Sequence, residues 1–62
     1  MEIVKLVEKL DKISEEITEI QLEIGSKLVK ENNQELDFAD NTLSNAFNNL
    51  VDTIYHLRKS IQ

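Results

Sequence analysis

The sequence predicts an all-α fold: an antiparallel two-helix hairpin that pairs with a second copy into a four-helix bundle. The expected helices cover about 2–30 and about 34–60, joined by a turn at about 31–33. Three observations carry this expectation. First, two apolar stripes recur at steps of three and four: Ile3, Leu6, Leu10, Ile13, Ile17, Ile20, Ile24 and Leu28, then Leu36, Ala39, Leu43, Phe47, Leu50, Ile54, Leu57 and Ile61. That spacing is the signature of a helix with one buried face. Second, the stripes mirror each other about Asn32. Leu28 and Leu36, Ile17 and Phe47, Leu10 and Ile54, and Ile3 and Ile61 each lie equally far from it to within one residue. Third, the chain has no proline and one glycine, so little interrupts a long helix.

The first helix carries charges at helical pair spacing beside its stripe, including Glu8 with Lys12 and Glu23 with Lys27. Gly25 is its weak point, because glycine inside a helix costs about 1 kcal/mol relative to alanine. The expected reason for it is a close helix contact. At the turn, Asn32 and Glu35 have the spacing of a capping box, and asparagine also tolerates the left-handed backbone that often ends a helix. A later start at Asp37 would lengthen the loop, and the mirror pairing favours the shorter one. The second helix ends with Arg58 and Lys59, where cations suit the helix dipole.

Size and composition set the oligomeric expectation. A chain of 62 residues makes a single domain, 1–62, with a thin core. Domains this small usually need disulfides, a metal or a partner subunit. Cysteine is absent and histidine occurs once, at His56. A partner subunit is what remains. Val4, Val7, Leu22, Val29, Phe38, Ala46, Val51 and Tyr55 fall outside the mirrored stripes and widen them beyond what one neighbour can bury. Of these, Val7, Leu22, Val29, Phe38, Ala46 and Val51 are the expected oligomer interface. Acidic side chains crowd the turn (Glu15, Glu16, Glu19, Glu23, Glu31, Glu35, Asp37 and Asp40, against Lys27 and Lys30), whereas Lys5, Lys9, Lys12, Arg58 and Lys59 lie toward the open end against Glu2, Glu8, Asp11 and Asp52. An antiparallel homodimer would place unlike ends together.

The net charge of −5 disfavours nucleic-acid binding, which rests on neutralising phosphates. No run approaches the length of a membrane span, and charges interrupt any apolar leader near the start. The expected location is the cytoplasm, to which a chain without cysteine is suited. Neither a catalytic nor a cofactor or metal site is legible, so the expectation is a protein that is not an enzyme. It would act by protein–protein binding, as a homodimeric regulator, adaptor or inhibitor. An asparagine-rich chain this small suggests a phage or mobile element. The expected partner-binding surface is the outer face of the second helix: Asn41, Asn45, Asn48, Asp52 and Tyr55. These steps of four, three, four and three make a polar stripe that can exchange hydrogen bonds with a protein partner. AT-rich codon usage accounts for the same asparagines without any function. A self-assembling bundle with no other partner is a further alternative.

Two short stretches resemble known families. Glu15-Glu16-x-x-Glu19 resembles the EExxE motif of MazG-type all-α nucleoside triphosphate pyrophosphohydrolases, and Asn49-Leu50-Val51-Asp52 resembles their later ExxD motif with Asn49 in place of the acid. The resemblance implies magnesium held by carboxylates against nucleotide phosphates. A solvated acidic helix face accounts for the same glutamates. Gln34-Glu35-Leu36-Asp37 is similar to the S-Q-E-L-D motif of the small helical-hairpin phosphatases of the sporulation phosphorelay, with Asn33 in place of serine. That likeness implies action on aspartyl phosphate.

Overall fold

A computed structural model describes residues 2–61 and shows two helices, α1 over Ile3–Lys30 and α2 over Gln34–Ser60. They pack side by side as an antiparallel hairpin. Its extents of 46 × 15 × 15 Å leave room for two helices abreast and no third layer. The long dimension is that of one helix, since 28 residues rise about 42 Å at ~1.5 Å each. Helix boundaries and turn fall where the apolar pattern puts them.

The turn is made differently from its predicted form. Asn33, not Asn32, caps α2: its Oδ1 accepts hydrogen bonds from the backbone N–H groups of Glu35 at 3.0 Å and Leu36 at 3.3 Å. α1 ends without a left-handed residue. Glu31 is extended (φ −128°, ψ 131°), and its N–H donates to the Lys27 carbonyl at 2.8 Å. No described residue has a positive φ, so the turn needs no glycine. Two extended residues, Glu31 and Asn33, reverse the chain, and the Asn33 cap satisfies the first free amides of α2.

The seam between the helices departs from expectation on α1. The side chains turned toward α2 are Ile3, Val7, Leu10, Ser14, Ile17, Gln21, Ile24 and Leu28, of which Val7 is buried and the rest half-buried. Ile13 and Ile20, expected opposite Leu50 and Leu43, are 44% and 48% exposed. Helix α1 is therefore rotated from its expected setting. Its apolar stripe is wide, and the seam uses the side containing Val7, Ser14 and Gln21 in preference to the side containing Ile13 and Ile20, with Leu6 half-buried at the edge. The polar cost is met in part by a hydrogen bond across the seam, Gln21 Nε2 donating to Ser44 Oγ at 2.8 Å. Ser14 Oγ likewise donates to the Leu10 carbonyl at 3.0 Å.

On α2 the stripe matches expectation at Leu36, Leu43, Phe47, Leu50, Ile54 and Leu57. Ala39 is exposed, and Asp40 takes the half-buried position beside it; Ile61 is 50% exposed. The mirror about Asn32 places residue 43 opposite Gln21, and the hydrogen bond goes to residue 44. The register is thus right to within one residue. Gly25 makes no close contact: a Cβ built there meets nothing within 4 Å. The helical pairs Glu8–Lys12 and Glu23–Lys27 are not closed; among the described residues the ion pair is between helices, Arg58 Nη2 to Asp11 Oδ2 at 3.4 Å.

Candidate protein-interaction surface

Three surfaces remain once the helices have packed. The first is the outer face of α2. Asn41, Asn45, Asn48, Asp52 and Tyr55 are all exposed there, at the helical spacing that makes one strip. None of their side chains is tied into a hydrogen bond within the hairpin among the described residues. At the open end of the strip, Lys59 Nζ lies 5.0 Å from the centre of the Tyr55 ring, and His56 meets that ring edge-on at 5.3 Å. A cation over a ring face steadies both side chains by about 0.5–1 kcal/mol at an exposed site.

The second surface is an open groove of about 560 Å³ along one flank of the seam. Phe47, Val51 and Ile54 supply its apolar floor. Asp11, Ser14, Glu15 and Thr18 of α1 face Tyr55 and Arg58 of α2 along its edges. Tyr55 belongs to both the groove and the asparagine strip, so the two surfaces are continuous. The Asp11–Arg58 pair at the rim is half-exposed on both sides, and such pairs contribute about 0–1 kcal/mol. It can open to a partner at little cost.

The third surface is the opposite flank. Residues seven apart on a helix lie nearly one above the other, so Leu6, Ile13 and Ile20 form one ridge, turned away from Asp11 and Thr18. Alongside it on α2 run Ala46 and Thr53, with Ala39 nearer the turn, all exposed. Neither Ile13 nor Ile20 was expected here. Gln21 and Ser44 are the signal that could have revealed it, because a hydrogen-bonding pair across a seam competes with two isoleucines at its edge.

The six residues expected to meet a second copy do not share one surface. Val7 is 8% exposed and packs inside the hairpin, which removes it from any outer face. Leu22 and Val29, at 71% and 88% exposed, continue the groove flank of α1 toward the turn, seven and fourteen residues on from Glu15; Phe38, at 53%, lies on the back of α2. Val51, at 45%, belongs to the groove, and Ala46 to the opposite flank. Glu15, Glu16 and Glu19 are exposed, Glu15 at the edge of the groove and the other two on the outer side of α1. Among the described residues, no three of His, Cys, Asp and Glu come together as a group that could hold a metal ion. Asn33, the replaced serine of the phosphatase-like stretch, is occupied as the cap of α2.

No family model, curated protein or solved structure matches the chain. Among the described residues, no helix is long and apolar enough to cross a membrane.

Proposed function

We propose that this protein is a small acidic binding module: a cytoplasmic homodimer of hairpins that regulates, adapts or inhibits another protein by contact. The observation that carries the reading is the imbalance of its apolar surface. Val7 and Ile54 alone are buried among the described apolar residues, while Ile13, Ile20, Leu22, Val51 and Tyr55 are all at least 44% exposed. One hairpin offers too little burial to offset the chain entropy of 62 residues, and association supplies the rest. A contact surface that is polar, uncharged at its asparagines and anchored by a tyrosine suits a protein partner, since tyrosine is favoured in interface cores.

Sedimentation equilibrium and melting over a range of concentrations test the first half of the proposal. A homodimer gives twice the chain mass of 7.2 kDa and a melting temperature that rises with protein concentration. For the second half, affinity capture from the native host compares the wild-type chain with a variant carrying Asn45→Lys and Tyr55→Ala. A protein retained by the first and lost by the second supports the outer face of α2 as its site. Equal capture by both removes that face from the proposal.

A further inference from the structure

We propose that the groove flank of the hairpin seats an amphipathic helix of a partner protein, apolar on the face it lays in the groove and basic along its edges. This deepens the protein-binding half of the reading above and rests on it; it does not need the homodimer. Exposed apolar surface points to this flank. Of the nine large apolar side chains exposed among the described residues, five lie along it: Val4, Leu22, Val29, Val51 and Tyr55. Val4 is one heptad before Asp11, and Leu22 and Val29 are one and two heptads beyond Glu15, so both rows continue from residues that line the groove. The opposite flank holds two, Ile13 and Ile20. Exposed apolar surface rimmed by polar side chains is the mark of an interaction site.

The shape admits a helix. The groove, about 560 Å³, runs between two antiparallel helices in a hairpin 46 Å long. Small side chains keep its α1 side low. Ser14 and Thr18 line it, and at Gly25, one heptad beyond Thr18, a Cβ would meet nothing within 4 Å. A third helix can therefore lie between the two at about the 8–10 Å axial separation of ordinary helix packing. An extended segment fits less well. Both helices satisfy their own backbone groups, so the flank has no strand edge for the N–H and C=O groups of an extended chain. A helix arrives with its own backbone already paired.

Charge selects the chemistry of that helix. Glu8, Asp11 and Glu15 stand along the α1 side of the flank, and Asp37, two heptads before Val51, stands along the α2 side. The cations are confined to the open end, where Arg58 is paired with Asp11 and Lys59 lies against the Tyr55 ring. Glu8, Glu15 and Asp37 make no ion pair among the described residues. On the opposite flank, by contrast, Glu2, Glu16, Glu23 and Glu35 stand among Lys9, Lys27 and Lys30, and charge is nearly balanced. A second copy has no face that is both apolar and cationic: its apolar flanks are this acidic one and that near-neutral one, and the back of α1, with Lys5 and Lys12, carries no large apolar side chain. A foreign helix with lysine or arginine at its edges answers all three carboxylates. Each exposed pair adds little affinity, and together they fix orientation and choice of partner.

Titration of the full chain with two synthetic peptides tests this. Both are helices of about 18 residues, roughly 27 Å long, with leucines on one face. One carries lysines beside that face and the other carries glutamates at the same places. Calorimetry measures affinity, and amide shifts of the isotope-labelled chain locate the site. The lysine peptide is expected to shift Thr18, Leu22 and Val51 most, to bind about tenfold tighter than the glutamate peptide, and to weaken as salt is added. Leu22→Ser and Glu15→Lys alter exposed side chains, and circular dichroism checks that each variant keeps its helices. Each is expected to weaken binding about fivefold, whereas Ile20→Ser on the opposite flank changes it by less than about twofold. Equal affinity for both peptides, or no saturable binding of the lysine peptide, overturns the basic helix. Loss with Ile20→Ser but not with Leu22→Ser overturns the flank. A peptide that binds only by splitting dimers shows that a second copy holds the groove, and overturns the proposal as well. Failure of the binding module itself is distinguishable: a native partner lost with Asn45→Lys, yet kept with Leu22→Ser and Glu15→Lys, upholds the module and removes the groove from it.

Discussion

The open end and the turn end of this hairpin are held together by different physics. Toward the open end the seam holds the two buried side chains, Val7 and Ile54, with Leu10, Leu50 and Leu57 around them and Ser14 as its polar member. Toward the turn the half-buried positions include Gln21, Gly25, Asp40 and Ser44. There the Gln21–Ser44 hydrogen bond and the Asn33 cap do part of what side-chain burial does elsewhere. The contrast shows that a hairpin can be fastened at its free ends by packing and near its loop by local geometry. Chain connectivity already keeps the helices close beside the turn, so weaker contacts suffice there.

The sharpest way to break this comparison is Ile54→Ala. It removes the most buried side chain and is expected to cost about 3 kcal/mol. Urea titration at one fixed protein concentration measures it, since association contributes to apparent stability. Val7→Ala deletes two buried methyl-sized groups and is expected to cost about 2 kcal/mol in the same titration. If either change proves cheaper than removing a turn-end interaction, the open end is not the stronger fastening.

Changes near the turn have smaller expected effects. Asn33→Ala leaves the Glu35 and Leu36 amides without their side-chain acceptor and is expected to cost about 1 kcal/mol. Hydrogen exchange reads it locally, as faster exchange in the first turn of α2. Gly25→Ala is expected to stabilise by up to about 1 kcal/mol, because helical backbone and open space both accept a methyl. A fall in melting temperature for this variant would mean that something does approach Gly25 closely. Smallest is Arg58→Ala. Its pair with Asp11 is half-exposed, and its loss is expected to cost less than about 1 kcal/mol, diminishing as salt is added.

Much of the fold was legible from residue spacing. The recurrence of apolar residues defines both helices, and the mirror about Asn32 places the turn and sets the register to within one residue. These follow from short-range periodicity, which the chain displays directly. The cap was harder to read, because Asn32 and Asn33 are chemically identical and only backbone geometry chooses between them. Gly25 was misleading for a similar reason: a small residue marks where a neighbour could approach, and no neighbour within the hairpin does. The strip of Asn41, Asn45, Asn48, Asp52 and Tyr55 was legible as an exposed face. The apolar flank was not, because Ile13 and Ile20 have the spacing of a core.

By itself, then, the sequence determined that this chain is two long helices reversed at residues 31–33, since helical periodicity, the absence of proline and the mirrored stripes all act locally. Only the tertiary structure decided how α1 is rotated about its own axis. Its apolar stripe is too wide for one neighbour to cover, so residue spacing alone does not fix which part of it faces α2. The packed hairpin adopts the setting that buries Val7 and joins Gln21 to Ser44, and so leaves Ile13 and Ile20 facing outward. That rotation, invisible in a one-dimensional pattern, separates the hairpin's own seam from the flank it has left to offer.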